Sequence, residues 1–78
     1  MVDVTVRLFA AAREAAGTAQ VQITPGPIGQ QLAALGLGDR FDQVLGACTL
    51  MCDGVRLEPD AEVLAGAVVD VLPPFAGG

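Results

Sequence analysis

Apolar side chains occupy every second position at the start of the chain, at Val2, Val4, Val6 and Leu8. Successive side chains of an extended strand point to opposite faces, so this period of two predicts a half-buried strand. A second alternating segment, 18–24, follows after a stretch of good helix formers that ends at Gly17. The sequence therefore predicts two early strands, with a helical turn or short loop between them.

Two segments in the middle of the chain carry helix signals. The first, 27–35, begins with a proline, places apolar side chains at helical spacing and is closed by Gly36. The second, 39–46, is shorter and has Asp39 as its predicted N-cap. The side chains predicted to face the core are those of Ile28, Leu32, Leu35, Phe41, Val44 and Leu45.

The second half of the chain carries two strand signals. Asp53 and Gly54 lie between two apolar runs, which predicts a hairpin with a two-residue turn. The segment 67–72 is almost entirely apolar, as a central strand is, and it ends at Pro73 and Pro74. This order predicts an α+β protein of the β-grasp (ubiquitin-like) type, with a mixed sheet packed on one main helix, although other small α+β folds share it.

Charge and apolar content limit the partners that the chain can bind. Nine acidic and four basic residues give a net charge of −5, so nucleic acid and anionic membranes would repel it, and we expect neither as a partner. The start of the chain differs from a signal peptide, and no apolar run approaches the roughly 18 residues of a membrane span. We therefore expect a cytoplasmic protein.

Catalytic side chains are scarce. The sequence contains no serine, histidine, lysine or tyrosine, so a self-sufficient hydrolase or oxidoreductase is hard to build from it. Cys48 and Cys52 would lie about 13 Å apart on one strand, beyond the roughly 7 Å limit for a disulfide. Two thiols are too few for a closed zinc site, so we expect no bound metal or cofactor and predict that both cysteines pack in the core. An enzyme that uses these thiols is the alternative.

The sheet face opposite the helix is predicted to carry an apolar patch. Phe9 and Leu72 would lie on that face, with Phe75 just beyond it. Arg7 and Asp70 would pair there across neighbouring strands. The alternative is that these apolar residues are scattered and have no common role.

The last six residues, 73–78, have the sequence Pro-Pro-Phe-Ala-Gly-Gly. Two prolines direct a tail away from the body, and an aromatic side chain can anchor it in a partner's pocket. Gly77 and Gly78 have no side chains, so they can enter a narrow channel. The sequence therefore predicts a domain, 1–72, and a flexible tail, 73–78, that presents its terminal carboxylate to another protein.

Two motifs together resemble the small subunit of molybdopterin synthase, a ubiquitin-like sulfur carrier of molybdenum cofactor biosynthesis. The family's F-A-x-x-R-E-x-x-G is met by Phe9, Ala10, Arg13, Glu14 and Gly17. Its ending P-P-x-x-G-G is met by Pro73, Pro74, Gly77 and Gly78. The resemblance covers the whole chain. It departs where the family commonly has D-G-D, since this chain has Ala65, Gly66 and Ala67.

The resemblance implies a β-grasp fold and a sulfur-carrier cycle. A ubiquitin-activating-like adenylyltransferase would use ATP to adenylate the carboxylate of Gly78, and a sulfur donor would convert it to a thiocarboxylate. The large subunit, which holds the catalytic residues, would then receive the tail and pass the sulfur to the pterin precursor. Gly77 would give access, and the implied docking residues are Phe75, Pro74, Phe9, Leu72 and Arg13.

Two alternatives share the same sequence features. A sulfur carrier for thiamine or cysteine biosynthesis would use the same tail chemistry with other partners. A ubiquitin-like interaction module would bind partners through its apolar face while its tail stays inert. Deleting Gly78 would leave the function of such a module unchanged.

Overall fold

The structure is a computed structural model that describes residues 3–74. Its largest sheet has five strands: β1 Val4–Leu8, β2 Gln20–Ile23, β4 Thr49–Cys52, β5 Val55–Leu57 and β7 Val68–Leu72. Two short strands, β3 Gly26–Pro27 and β6 Glu62–Val63, form a separate antiparallel pair. The helices of this region are α1 Ala10–Ala16, α2 Ile28–Ala33 and α3 Asp39–Ala47. Within residues 3–74 no helix has both the length and the apolar content that crossing a membrane requires.

The last strand lies in the middle of the sheet, as its apolar sequence predicted. The strand order is β2-β1-β7-β4-β5, with β1 and β7 parallel and the other neighbours antiparallel. Val69 and Val71 of β7 are fully buried. A strand with a neighbour on each edge forms backbone hydrogen bonds on both sides, so it needs no water to satisfy its N–H and C=O groups and can consist of apolar residues. The mixed sheet is confirmed.

One face of the sheet packs against all three helices. The fully buried side chains include Val4 and Val6 on the sheet and Ile28, Leu32 and Phe41 on the helices. The helical layer is divided, because α2 has only six residues and the longest helix is α3 with nine. Short helices gain their stability from such tertiary packing, since an isolated helix of this length is unstable in water.

The first helix ends as the sequence predicted. Gly17 adopts φ 76°, and its N–H donates to the carbonyl of Arg13 at 2.9 Å. A residue without Cβ adopts this left-handed conformation at no steric cost. The hairpin turn is confirmed in the same way, because Asp53 and Gly54 have φ of 52° and 77°, as a type I′ turn requires.

Two helix boundaries differ from the prediction. α2 ends at Ala33, because the N–H of Leu35 donates to the carbonyl of Leu32 at 3.2 Å and tightens the last turn. The N-cap of α3 is Gly38, so the assignment of Asp39 as the cap was wrong. Gly38 has φ 109°, which only glycine adopts readily, and this conformation starts the helix directly after it.

A glycine fixes α2 to the connection after β5. The N–H of Gly29 donates to the carbonyl of Pro59 at 2.8 Å, and the N–H of Ile28 donates to that of Ala61 at 2.9 Å. A Cβ at position 29 would lie 2.7 Å from the Pro59 oxygen. Glycine therefore permits the backbone of α2 to approach the connection after β5 closely. The helix propensity lost with glycine is offset by the two backbone hydrogen bonds.

Candidate docking face

The sheet face turned away from the helices is the open face. It consists of the strand residues that alternate with the buried ones, because neighbouring residues of a strand point to opposite sides. Its members are Thr5, Arg7, Gln20, Gln22, Thr49, Met51, Arg56, Val68, Asp70 and Leu72.

An ion pair occupies the centre of the open face. Arg7 and Asp70 are direct neighbours in the parallel register of β1 and β7. Nε of Arg7 donates to Oδ1 of Asp70 at 2.6 Å, and Nη2 donates to Oδ2 at 2.8 Å. This geometry is bidentate, which adds orientation as well as energy, and it confirms the predicted pair.

The two charges of this pair neutralise each other at the surface. The side chains of Arg7 and Asp70 are 51% and 26% exposed. The hydrogen bonds to Asp70 and its negative charge raise the pKa of Arg7 above its ordinary value. A partner that covers the centre of the open face would bury a matched pair there, which lowers the cost of desolvation.

Phe9 lies at the edge of the open face, next to the ion pair. The residue is 38% exposed, and the centroid of its ring is 6.0 Å from the guanidinium carbon of Arg7, within the range of a cation–π contact. Its carbonyl accepts from the N–H of Ala12 at 3.1 Å, at the start of α1. Ala10 has φ 48°, which residues other than glycine rarely adopt, so the chain turns sharply just after Phe9.

Leu72 extends the same end of the open face. Leu8 pairs with Val71, which places Phe9 and Leu72 one position further along two neighbouring strands. Leu72 is half-buried and pairs on its other side with Thr49. The tail leaves the sheet at this end, where Pro73 is buried and Pro74 is exposed.

Of the remaining predicted site residues, the structure describes only Arg13, which does not join this face. Arg13 is exposed on α1, outside the strand rows that make up the open face. Phe75, Gly77 and Gly78 lie outside the described residues. Their assigned roles stay predictions.

Three residues of the open face were missed by the sequence analysis. Met51 pairs with Asp70 on one side and with Arg56 on the other, and Thr49 pairs with Leu72. Alternation in 49–52 together with the hairpin signal was enough to place Thr49 and Met51 on one side of a strand. That this strand pairs with β7 is a contact between distant segments, and no local pattern encodes it.

Both cysteines have a packing role in the structure. Cys48 and Cys52 are free, half-buried and in contact with the core, as predicted. Sγ of Cys48 lies 3.1 Å from the carbonyl oxygen of Val44, to which it can donate. Burial raises the pKa of the Cys48 thiol, so the nucleophilic thiolate is disfavoured at neutral pH. Cys48 precedes β4, so only Cys52 of the two lies on a strand.

Comparison with solved structures identifies the fold. The chain is similar to SAMP1 from Haloferax volcanii, with a TM-score of 0.78 and 24% identity over 97% of this chain and 99% of that one. It has the β-grasp fold. No protein family model and no curated protein matches the sequence.

Two other β-grasp neighbours carry names that agree with the motif resemblance. One is a putative molybdopterin converting factor subunit 1 from Pyrococcus furiosus, with a TM-score of 0.72 and 21% identity over 96% of this chain and 100% of that one. The other belongs to a complex of subunits 1 and 2 of molybdopterin-converting factor from Helicobacter pylori, with a TM-score of 0.67 and 22% identity over 96% of this chain and 97% of that one. At these identities the likeness establishes the β-grasp fold, and function rests on the site.

Proposed function

We propose that the chain is the sulfur-carrier small subunit of a molybdopterin synthase. The observation that carries the proposal is that β7 ends at Leu72, at the end of the open face where Phe9 lies, and that the sequence Pro-Pro-Phe-Ala-Gly-Gly follows it directly. A partner that covers this face is thereby next to Pro73, where the tail begins. The β-grasp neighbours named as subunit 1 of molybdopterin converting factor support the same assignment.

The chemistry proceeds at the carboxylate of Gly78. An oxygen of the carboxylate attacks the α-phosphate of ATP on the activating enzyme, and pyrophosphate leaves. Hydrosulfide then attacks the acyl carbon, AMP leaves with the electron pair of the acyl–oxygen bond, and loss of a proton gives the thiocarboxylate. Adenylation is required because a free carboxylate carries no good leaving group. On the large subunit, which supplies the catalytic residues, the thiocarboxylate sulfur bonds to a carbon of the pterin precursor. Water then cleaves the acyl–sulfur bond, which leaves the sulfur on the precursor and regenerates the carboxylate of Gly78.

The open face is suited to serve each partner in turn. Its centre is the neutralised pair of Arg7 and Asp70, and apolar side chains flank it at Phe9, Met51 and Leu72. Apolar anchors surrounded by satisfied polar groups are typical of protein interfaces. The chain needs no catalytic residue of its own, which agrees with the shortage of catalytic side chains in the sequence.

Intact mass spectrometry tests the proposal. The full chain is incubated with ATP, the adenylyltransferase of the same organism and sulfide. We expect the mass to rise by the difference between one sulfur and one oxygen atom, with the change located at Gly78 by fragmentation. An unchanged mass, under conditions in which the adenylyltransferase releases pyrophosphate with a known substrate, contradicts the proposal and favours an interaction module.

A protein modifier is the second candidate, because two of the solved β-grasp neighbours are the small archaeal modifier protein 1 of Haloferax volcanii. In that function an amine of a target protein would attack the activated acyl carbon of Gly78, and an amide would form. The sequence contains no lysine, so chains linked through its own lysine side chains are excluded. Conjugates of higher mass that contain Gly78 bonded to a target lysine would support this second function.

Removal of the Phe9 ring tests the docking role of the open face. We expect Phe9→Ala to weaken binding to the large subunit of molybdopterin synthase by about tenfold or more, since aromatic anchors dominate interface energies. Titration calorimetry measures the affinity. Val55→Ala is the matched control, because Val55 is 63% exposed but pairs with Cys52 on the helix side of the sheet. Equal losses for both variants would contradict docking at the open face.

A further inference from the structure

A cavity of about 550 Å³ lies on the helix side of the sheet, and its lining extends to Thr49 and Arg56 of the open face. Helices α2 and α3 and strands β4 and β5 surround it, and its apolar walls are formed by Leu32, Leu45, Leu50 and Leu57. This volume is within the range of roughly 300–1,000 Å³ that is typical of binding pockets. The sulfur-carrier chemistry proposed above does not use this cavity.

The walls of the cavity are held in place by hydrogen bonds. Gly29 is tied to Pro59 at 2.8 Å, which fixes α2 against the connection after β5. At the end of α3, the N–H of Cys48 donates to the carbonyl of Leu45 at 3.0 Å. A preformed cavity binds with a smaller loss of conformational entropy than one that must be ordered by its ligand.

The surface around the cavity is acidic. Asp42, Arg56 and Glu58 line the cavity itself. Five carboxylates and two arginines lie on the surrounding α3, β5 and residues 58–62. Their net charge is −3, and that of the whole chain is −5. The seven residues are all exposed, namely Asp39, Arg40, Asp42, Arg56, Glu58, Asp60 and Glu62.

We propose that this cavity binds an apolar side chain of a partner protein segment that has arginine or lysine residues next to that side chain. The apolar walls match the anchor, and the acidic surroundings attract the flanking cations. An acidic segment would be repelled by the same carboxylates. The cavity is not used by the proposed sulfur-carrier chemistry, so the proposal stands independently of that function.

Selection from a displayed library of random short peptides on the immobilised full chain tests this proposal. We expect the enriched peptides to share a leucine, isoleucine, methionine or phenylalanine beside arginine or lysine. In a synthetic copy of an enriched peptide, replacing the apolar anchor by alanine should weaken binding about tenfold. Asp42→Asn and Glu58→Gln should each weaken peptide binding about two- to fivefold. Added salt should reduce the difference in affinity between these variants and the wild type.

Position 46 provides the blocking variant and its matched control. Gly46 lines the cavity on α3, and a Cβ there would meet no atom within 4 Å, so a side chain can be added at this position without displacing its neighbours at the Cβ. Gly46→Leu should reduce peptide binding at least about tenfold by occupying the cavity, whereas Gly46→Ala should retain it. Circular dichroism confirms that both variants are folded.

Several outcomes would overturn the proposal. Enrichment of acidic peptides would reverse the predicted charge preference. If the Gly46→Leu variant binds the peptides as tightly as the wild type does, the cavity is not the site. The same conclusion follows if selection on the wild-type chain enriches no peptide that selection on the Gly46→Leu variant does not. A dimer in sedimentation equilibrium that Gly46→Leu dissociates would assign the cavity to a second copy of the chain.

Discussion

Deleting Gly78 is expected to abolish conversion of the chain to a thiocarboxylate. The deletion shortens the tail by one residue, which is about 3.3 Å or more in an extended chain. The terminal carboxylate would then lie that far from the position at which the activating enzyme would adenylate it. A misplacement of about 1 Å already costs about a hundredfold in rate, so a shift of this size removes the reaction. Intact mass after incubation with ATP, adenylyltransferase and sulfide measures the result.

The loss must come from the chemistry and not from the fold. Strand β7 ends at Leu72, six residues before Gly78, so the free energy of unfolding of the deletion variant should equal that of the wild type. Ala76→Ser keeps the length of the tail and should still gain sulfur. If the deletion variant gains sulfur at the wild-type rate, Gly78 is not the acyl carrier.

Truncating Phe41 is expected to have the largest effect on stability. Its ring is fully buried and is the largest fully buried side chain of residues 3–74. Phe41→Ala should lower the free energy of unfolding by about 3–5 kcal/mol, from lost burial and the cavity that remains. Since domains are stable by only about 5–15 kcal/mol, this loss is a large part of the total. Urea denaturation followed by circular dichroism measures it.

Two further variants keep this prediction testable. Phe41→Leu should cost only about 1 kcal/mol, because it keeps an apolar side chain of similar size, and it remains measurable if the alanine variant does not fold. Gln43→Ala lies on the same helix, and residue 43 is exposed, so its effect should stay within about 0.5 kcal/mol. A loss below about 1 kcal/mol for Phe41→Ala would show that α3 contributes little to the core.

Local chemistry was sufficient for several parts of the fold. The alternation of Val4, Val6 and Leu8 predicted strand β1, and Asp53-Gly54 predicted the hairpin turn between β4 and β5. A side-chain period and a positive φ are properties of a short segment. The central position of β7 also followed from its own apolar residues. Helix ends were less predictable, since Gly38 rather than Asp39 starts α3 and a tight turn ends α2 early.

By itself, the sequence determined the five strands of the main sheet and their inward faces, because each depends on residues close together in the chain. The short pair β3 and β6 carries no such local pattern and was not predicted. The pairing of Arg7 with Asp70 was predicted from the alternation of two strands, and the structure confirms it. Only the tertiary structure decided which further residues share that surface, since the placement of Met51 beside the pair depends on β4 lying next to β7. The acidic cavity likewise exists only where α2, α3 and β5 meet. Contacts between distant segments arise from the packing of whole elements, and no period within one segment encodes them.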